Sequence, residues 1–268
     1  VTVASGELTQ QAGKQLWTAR ETARAVPPVR HLFADGDAGA GYAVQELLTL
    51  RRLRDGARVI GRKIGLTSPA VQRQLGVDQP DFGILFHDML HKGPEAIERS
   101  RLIQPRIEGE VAFMLGEDLD DAVLDAEVIR RKTAYVQPAL EVVDSRVQDW
   151  DISIVDTVAD NASSGLFVLG EQKTTLDAID LAAVRMELRC AGEVVSSGTG
   201  ADCLGDPVTA VLWLARTFQS LGRVLRAGEV ILSGALGPMV EVPPGGEYHA
   251  TITGLGDVSA RFDTGAPS

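Results

Sequence analysis

The hydrophobic period of this chain changes at Gly56 from mainly helical to mainly that of strands, and that change constrains the fold more than any single motif. Before it, Leu8, Ala12, Leu16, Ala19 and Ala23 recur at helical spacing until Pro27-Pro28 stops the run. A second helix fits Ala40, Val44, Leu47, Leu48 and Leu50, with Arg51, Arg52 and Arg54 near its C-terminal end, where the helix dipole favours cations. After Gly56 the segments read as strands: Arg58 to Leu66, Ile107 to Leu115, Val136 to Val143, Gly165 to Leu169, Val184 to Cys190, Glu193 to Ser196, Glu229 to Ser233, His249 to Thr253 and Asp257 to Phe262. Ala191-Gly192 suits a tight turn between two of them. Two helices interrupt the series. Ser68-Pro69 opens a short one that Gly76 closes. Asp206-Pro207 caps a longer one, with Val208, Val211, Leu212, Ala215, Phe218 and Leu221 inward and Gly222 as its stop. Helices first and strands after predict an α+β chain: a helical N-terminal region over residues 1–56, then a β-rich domain over residues 57–268.

Composition narrows the partners. A formal net charge of −11 repels phosphate backbones and anionic lipid, so neither nucleic acid nor membrane is expected as a partner. An anionic substrate must therefore meet a local positive charge. No apolar run approaches the roughly 20 residues of a membrane span, and Val1 to Leu8 carries no secretory pattern. Cys190 and Cys203 are too few for a disulfide framework, which fits reduced thiols and a cytoplasmic location.

The acids are placed more tellingly than they are counted. Along the strand Arg106 to Leu115, Glu108, Glu110 and Ala112 share one face, while Ile107, Gly109, Val111, Phe113 and Leu115 take the other. Two residues at strand rise separate the carboxylates by about 7 Å. A solvent-facing strand edge would carry such a pattern; so would a cation site, because a bound cation removes both the repulsion and the desolvation of paired acids. Glu141 tips the balance. It sits inside the apolar run Val136 to Val143, with no basic neighbour before Arg146, and a buried carboxylate needs a partner. Three carboxylates make an all-oxygen set suited to Mg2+ or Mn2+, with Ca2+ a poorer fit. His31, His87, His91 and His249 lack zinc-type spacing.

A second strand carries the complementary charge. Gly61, Lys63 and Gly65 share a face, so Lys63 is flanked by absent side chains that leave space for a ligand. It reads either as a snorkelling surface lysine or as a group that balances an anionic substrate or moves a proton. Asp81, in Gln79-Pro-Asp-Phe-Gly83, lies in a turn-rich segment and equally suits an Asx turn. Its Asp-Phe-Gly triplet lacks the accompanying kinase elements.

Several segments carry a resemblance. GRKIGLTSPAVQRQLGVDQPDFG (61–83), QPRIEGEVAF (104–113), PALEVVDSRVQDW (138–150), DTVADNASSG (156–165), SSGTGADCLGDPVTAVLWLAR (196–216) and GEVILSGALGPM (228–239) closely resemble the 2-keto-4-pentenoate hydratases of the fumarylacetoacetase-like superfamily. The resemblance runs from about residue 40 to the C-terminus. It implies a mixed β-sandwich roll with an added helical N-terminal region, assembled as a homo-oligomer, with Mg2+ or Mn2+ on Glu108, Glu110 and Glu141. It places Lys63 and Asp81 in the pocket as candidate catalytic groups, and Ser164 and Ser233 as candidate substrate contacts. Ser164 stands where many relatives are expected to have cysteine.

The implied reaction adds water to 2-hydroxypenta-2,4-dienoate, giving 4-hydroxy-2-oxopentanoate, in the meta-cleavage degradation of aromatic compounds. The partner is thus a small 2-oxo or 2-hydroxydienoate acid, with association to a neighbouring pathway enzyme as a further expectation. The alternative on the same scaffold is a 2-oxo-3-hexenedioate (4-oxalocrotonate) decarboxylase. A carbon–carbon bond hydrolase should present a His/Glu pair, and no His-x-x-Glu occurs here. A non-catalytic metal-binding assembly protein would have no use for a lysine in open space.

Overall fold

The computed structural model describes residues 3–68, 72 and 79–265. Helix α1 (Val3–Thr22) buries Ala12, Leu16 and Ala19, as its spacing requires. Helix α2 (Ala38–Arg54) is capped by Asp37, whose side chain accepts from the Ala40 amide. Its buried face is Gly41, Val44 and Gln45, whereas Leu50, one of the residues that mark the helix in the sequence, is exposed. The cause is Gly41: a Cβ there would lie 2.9 Å from the Val155 carbonyl, so α2 approaches its neighbour at that residue and turns Leu50 outward.

The strands β1 (Val59–Gly65), β2 (Asp81–Phe86), β3 (Pro105–Leu115), β4 (Thr133–Asp144) and β5 (Ser164–Leu169) form one large sheet with two late strands, β8 (Val230–Ala235) and β9 (Val240–Glu241). The order is β2-β1-β8-β3-β4-β5, with β9 on β3. All pairs in it are antiparallel except β1 with β8. A second sheet, in the order β11-β10-β6-β7, holds β6 (Arg185–Cys190), β7 (Glu193–Thr199), β10 (Glu247–Ile252) and β11 (Gly256–Arg261). Ala191 and Gly192 both have positive φ, as the tight hairpin between β6 and β7 demands.

Three further α-helices are described, α3 (Ala126–Lys132), α4 (Ile154–Ala159) and α5 (Pro207–Ser220), besides short 3-10 turns. The sequence reading found α5 but not α3 or α4, which at 7 and 6 residues are too short to show a helical period. The helix expected from Ser68 to Gly76 falls largely on residues outside the described set.

Packing distinguishes the two faces of the large sheet. On one, Gly109 lets the small sheet close in, since a Cβ there would lie 3.0 Å from Met186, and Phe82 meets Phe218 of α5 edge-on. The sheet curls until β5 nears the end of β2: Leu90 bridges to Phe167, and the Asn161 side chain bonds both backbone groups of Ile84. Helices α1 and α2 cover this seam, with Ala12, Leu16 and Val44 packing on Val147 and Ala159. The other face of the sheet, inside the curl, carries the site.

Candidate metal centre and active site

Register alone assembles the acids. In the β3–β4 pair Glu108 stands opposite Glu141, and Glu110 follows two residues on, opposite Ala139. Directly opposed residues of an antiparallel pair share a face. Each glutamate offers an oxygen, and these atoms all lie within 4.8 Å of one another. Glu110 and Glu141 are buried and Glu108 is half-buried, so the solvent-edge reading fails.

The lysine reaches the same face from two strands away. Lys63 aligns with Leu232 of β8, and Leu232 with Ala112 of β3, which shares its face with Glu110. Its Nζ lies 3.2 Å from Glu141 Oε1, and Lys63 is itself buried. The partner that sequence reasoning sought for Glu141 is therefore Lys63; Arg146 is committed to Asp160. A surface lysine is excluded.

The flanking glycines serve other ends than those expected. A Cβ on Gly61 would collide with the Val230 backbone, so Gly61 admits strand β8. A Cβ on Gly65 would lie 2.2 Å from Asp81 Oδ1, so Gly65 makes room for a carboxylate. Asp81 opens β2 directly opposite Gly65, in a strand and not in a turn. Thr157 donates to Asp81 Oδ2 at 3.4 Å, and the Thr157 and Ser163 hydroxyls lie 3.5 Å apart.

Charge in this pocket is under-compensated: four acids meet one ammonium. Burial, then repulsion from Glu141, pushes the Glu108 carboxyl up to about 7 despite the pull of Lys63. Burial, then Glu141 and Glu108, holds Glu110 well above the ordinary carboxylate range. Burial pushes Asp81 up to about 6 against the attraction of Lys63. For Lys63, burial disfavours the ammonium, but Glu141, Asp81, Glu108 and Glu110 together outweigh it and raise the pKa.

Several of these oxygens have no hydrogen-bond partner among the described residues: Asp81 Oδ1, Glu110 Oε1 and both of Glu141, whose Oε1 meets Lys63 only as an ion pair. Orphaned buried carboxylate oxygens are costly. A hard divalent cation would satisfy them, and the oxygen-only donor set fits one.

Of the two serines, Ser233 is fully buried beside Gly234, with its Oγ unpartnered among the described residues. Ser164 donates to the Asn161 carbonyl and lies over Gly83, which pairs with Lys63; it also lines the cleft between α1, α2 and the β2–β5 seam. Sequence reasoning missed Gly234, whose amide donates to Glu110 Oε2 at 2.8 Å, and Gln45. Gln45 donates from α2 to the carbonyls of Phe82 and Val158, beside Asp81 and Thr157. Neither leaves a periodic signal, because each acts through tertiary contacts.

Comparison with known proteins agrees with this geometry. Residues 58–263 match the fumarylacetoacetate hydrolase C-terminal family. A 2-keto-4-pentenoate hydratase of Paraburkholderia xenovorans (strain LB400) is 50% identical over 255 residues, covering 95% of each chain. This chain belongs to the 2-keto-4-pentenoate hydratase group of that family. A 2-hydroxyhexa-2,4-dienoate hydratase of Comamonas testosteroni is 43% identical, covering 93% of this chain and 96% of its own. Among solved structures, the 4-oxalocrotonate decarboxylase of Pseudomonas putida G7, complexed with magnesium and adipate, superposes with a TM-score of 0.91. That decarboxylase is 31% identical, over 96% of this chain and 97% of its own. The fumarylacetoacetase-like roll and the α+β class expected of the sequence are thus both found.

Proposed function

We propose that this chain hydrates 2-hydroxypenta-2,4-dienoate to 4-hydroxy-2-oxopentanoate, in the meta-cleavage breakdown of aromatic compounds, with Mg2+ or Mn2+ held by Glu108, Glu110 and Glu141. The carrying observation is the trio of glutamates, of which Glu110 and Glu141 are buried with oxygens that have no hydrogen-bond partner among the described residues, and Lys63 against Glu141. The identity of 50% to a hydratase, against 31% to a decarboxylase, favours water addition over loss of CO2.

A bound divalent cation supplies positive charge for the substrate's carboxylate and 2-oxygen, and so stabilises the enolate-like charge there. The rest falls to side chains. The 2-hydroxyl proton leaves and carbon 5 gains one, which gives an α,β-unsaturated 2-oxo acid. Water then adds its oxygen to carbon 4 and a proton to carbon 3. Lys63, buried and within reach of that pocket, is the proton-transfer group we assign, and it also balances the substrate's charge. Asp81 orients water or Lys63, with Thr157 steadying one of its oxygens. Ser233 and Ser164 are the hydroxyls assigned to substrate.

We extend the proposal to organisation. The helical region over 1–56 is a layer added to the domain over 57–268, in keeping with a family match that begins at residue 58. The proposal includes a homo-oligomer and association with a neighbouring pathway enzyme, as the resemblance implies; exposed apolar residues such as Val194, Val195 and Leu221 are ones such contacts could cover. Free Cys190 and Cys203 support a cytoplasmic location. Among the described residues no helix is long and apolar enough to cross a membrane.

The test is turnover. Purified protein with Mn2+ should deplete the ultraviolet absorbance of the pentadienoate and form the 4-hydroxy acid. CO2 release from 2-oxo-3-hexenedioate without hydration of the pentadienoate would transfer the assignment to the decarboxylase.

A further inference from the structure

The β3–β8 register breaks beside the glutamates. Glu110 stands opposite Ala235 but Ala112 opposite Leu232, so β8 carries an extra residue between them. Gly234 lies in that bulge with a φ of +108°, a conformation open to glycine and strained for other residues. The bulge turns its N–H onto Glu110 Oε2. The other oxygen, Oε1, has no hydrogen-bond partner among the described residues.

Two side chains from elsewhere hold the bulge in that state. Cys203 donates its thiol to the Ser233 carbonyl at 3.1 Å, and so fixes one side of the peptide that carries the Gly234 amide. Thr67 occupies the space over Gly234, where a Cβ would lie 2.4 Å from both Thr67 Cγ2 and Oγ1. The two holders are joined, since the Leu204 amide donates to the Thr67 carbonyl. Beyond the bulge, Leu236 donates to Gly109 and restores the ladder. Thr67, Cys203, Ser233 and Glu110 are all buried.

We propose that Thr67, Cys203 and Gly234 are positioning residues that hold Glu110 as a one-oxygen ligand and thereby favour Mg2+ or Mn2+ over Ca2+. The reasoning is geometric. Small cations of this kind demand near-octahedral geometry from single oxygens, whereas Ca2+ accepts carboxylates through both oxygens in looser shells. With Oε2 occupied by an amide, Glu110 presents one oxygen. Freed from the amide, it offers two. The inference rests on the cation reading of the three glutamates proposed above.

The test compares two ions, with no substrate present. Mn2+ and Ca2+ affinities are measured by calorimetry for the full chain and for Gly234→Ala, Thr67→Ala, Cys203→Ala and Cys203→Ser. Losing a hydrogen bond to a charged group should weaken Mn2+ in Gly234→Ala by about tenfold or more, with Ca2+ changed by less than about threefold. Thr67→Ala and Cys203→Ala should shift the Mn2+ to Ca2+ ratio the same way by smaller factors, and Cys203→Ser, which keeps a donor, should restore it. If Gly234→Ala does not fold, the Thr67 and Cys203 variants decide alone. A ratio unchanged in both, or parallel loss of the two ions, overturns the positioning role. A native chain that takes up neither ion refutes the cation reading itself, and this outcome is recognisable because no ratio then exists to shift.

Discussion

Glu110→Gln should make the metal-free protein more stable while removing its cation, and the opposite signs are the point. The ligand oxygens of the three glutamates lie no farther than 4.8 Å apart. Two full charges at that distance repel by roughly 3.5 kcal/mol at an effective dielectric of about 20. Partial protonation relieves some of this, since burial and mutual repulsion push Glu108 up to about 7 and hold Glu110 well above the ordinary carboxylate range. At pH 8 the gain on neutralising Glu110 should be about 1–3 kcal/mol, or about 2–6 °C in melting temperature at about 2 °C per kcal/mol for a chain this long. Glutamine keeps an oxygen for the Gly234 amide, and its NH2 replaces the unpartnered Oε1, where it can donate to a neighbouring carboxylate but cannot bind a cation. The assay is a pair of melts in EDTA at pH 8, with Mn2+ calorimetry alongside. A variant that melts lower than the parent without metal, or that keeps its Mn2+ affinity, would show Glu110 to be a structural acid and refute the reasoning.

Three further outcomes are expected. Lys63→Met strands Glu141 as a buried charge and should cost about 3–5 kcal/mol in EDTA; Mn2+ should recover part of the lost melting temperature, and no recovery would mean the glutamates bind no cation. Because folding raises the pKa of Glu108 from 4.5 to about 7, the folded state binds more protons between those values, so metal-free stability should fall as pH rises through that window. Mn2+ must displace the same protons, so its apparent affinity should climb across the same range; a flat titration from pH 5 to 8 would contradict both statements. Gln45→Leu leaves the Phe82 and Val158 carbonyls short of a donor and should cost about 2 kcal/mol. It should lower kcat more than it changes KM, because the strand behind Asp81 loosens, and an unchanged kcat would assign Gln45 to packing alone.

Much of the site was legible because strands obey a period of two. Alternation put Glu108 and Glu110 on one face, and an apolar run marked Glu141 as a charge in need of a partner. What alternation cannot supply is which strands lie side by side. Lys63 answers Glu141 across β8 and β3, a pairing set by sheet order and not by sequence distance. Asp81, flanked by Pro80 and Gly83, suits an Asx turn as well as a catalytic role in the sequence, yet its strand is buried throughout, and burial overrides turn chemistry there. The glycines beside Lys63 show in the sequence as absent side chains, but what fills each gap, a backbone at Gly61 and a carboxylate at Gly65, depends on neighbours from distant sequence. Gly234 was one of many glycines until the register break showed which side of it faced a ligand.

The insertion of β8 between β1 and β3 has a consequence for how the chain becomes functional. The hairpin bearing Lys63 and Asp81 and the hairpin bearing the three glutamates can each form locally, but their facing edges, β1 and β3, are bridged only when a strand that begins at Val230 arrives. During synthesis the glutamates therefore wait, mutually repelling and without their lysine, while more than a hundred residues follow β3. Such long-range strand pairing is slow, and its intermediates expose sheet edges. The active site is thus a late event in folding, and the same step that seats Gly234 on Glu110 closes the last open edges between the two hairpins.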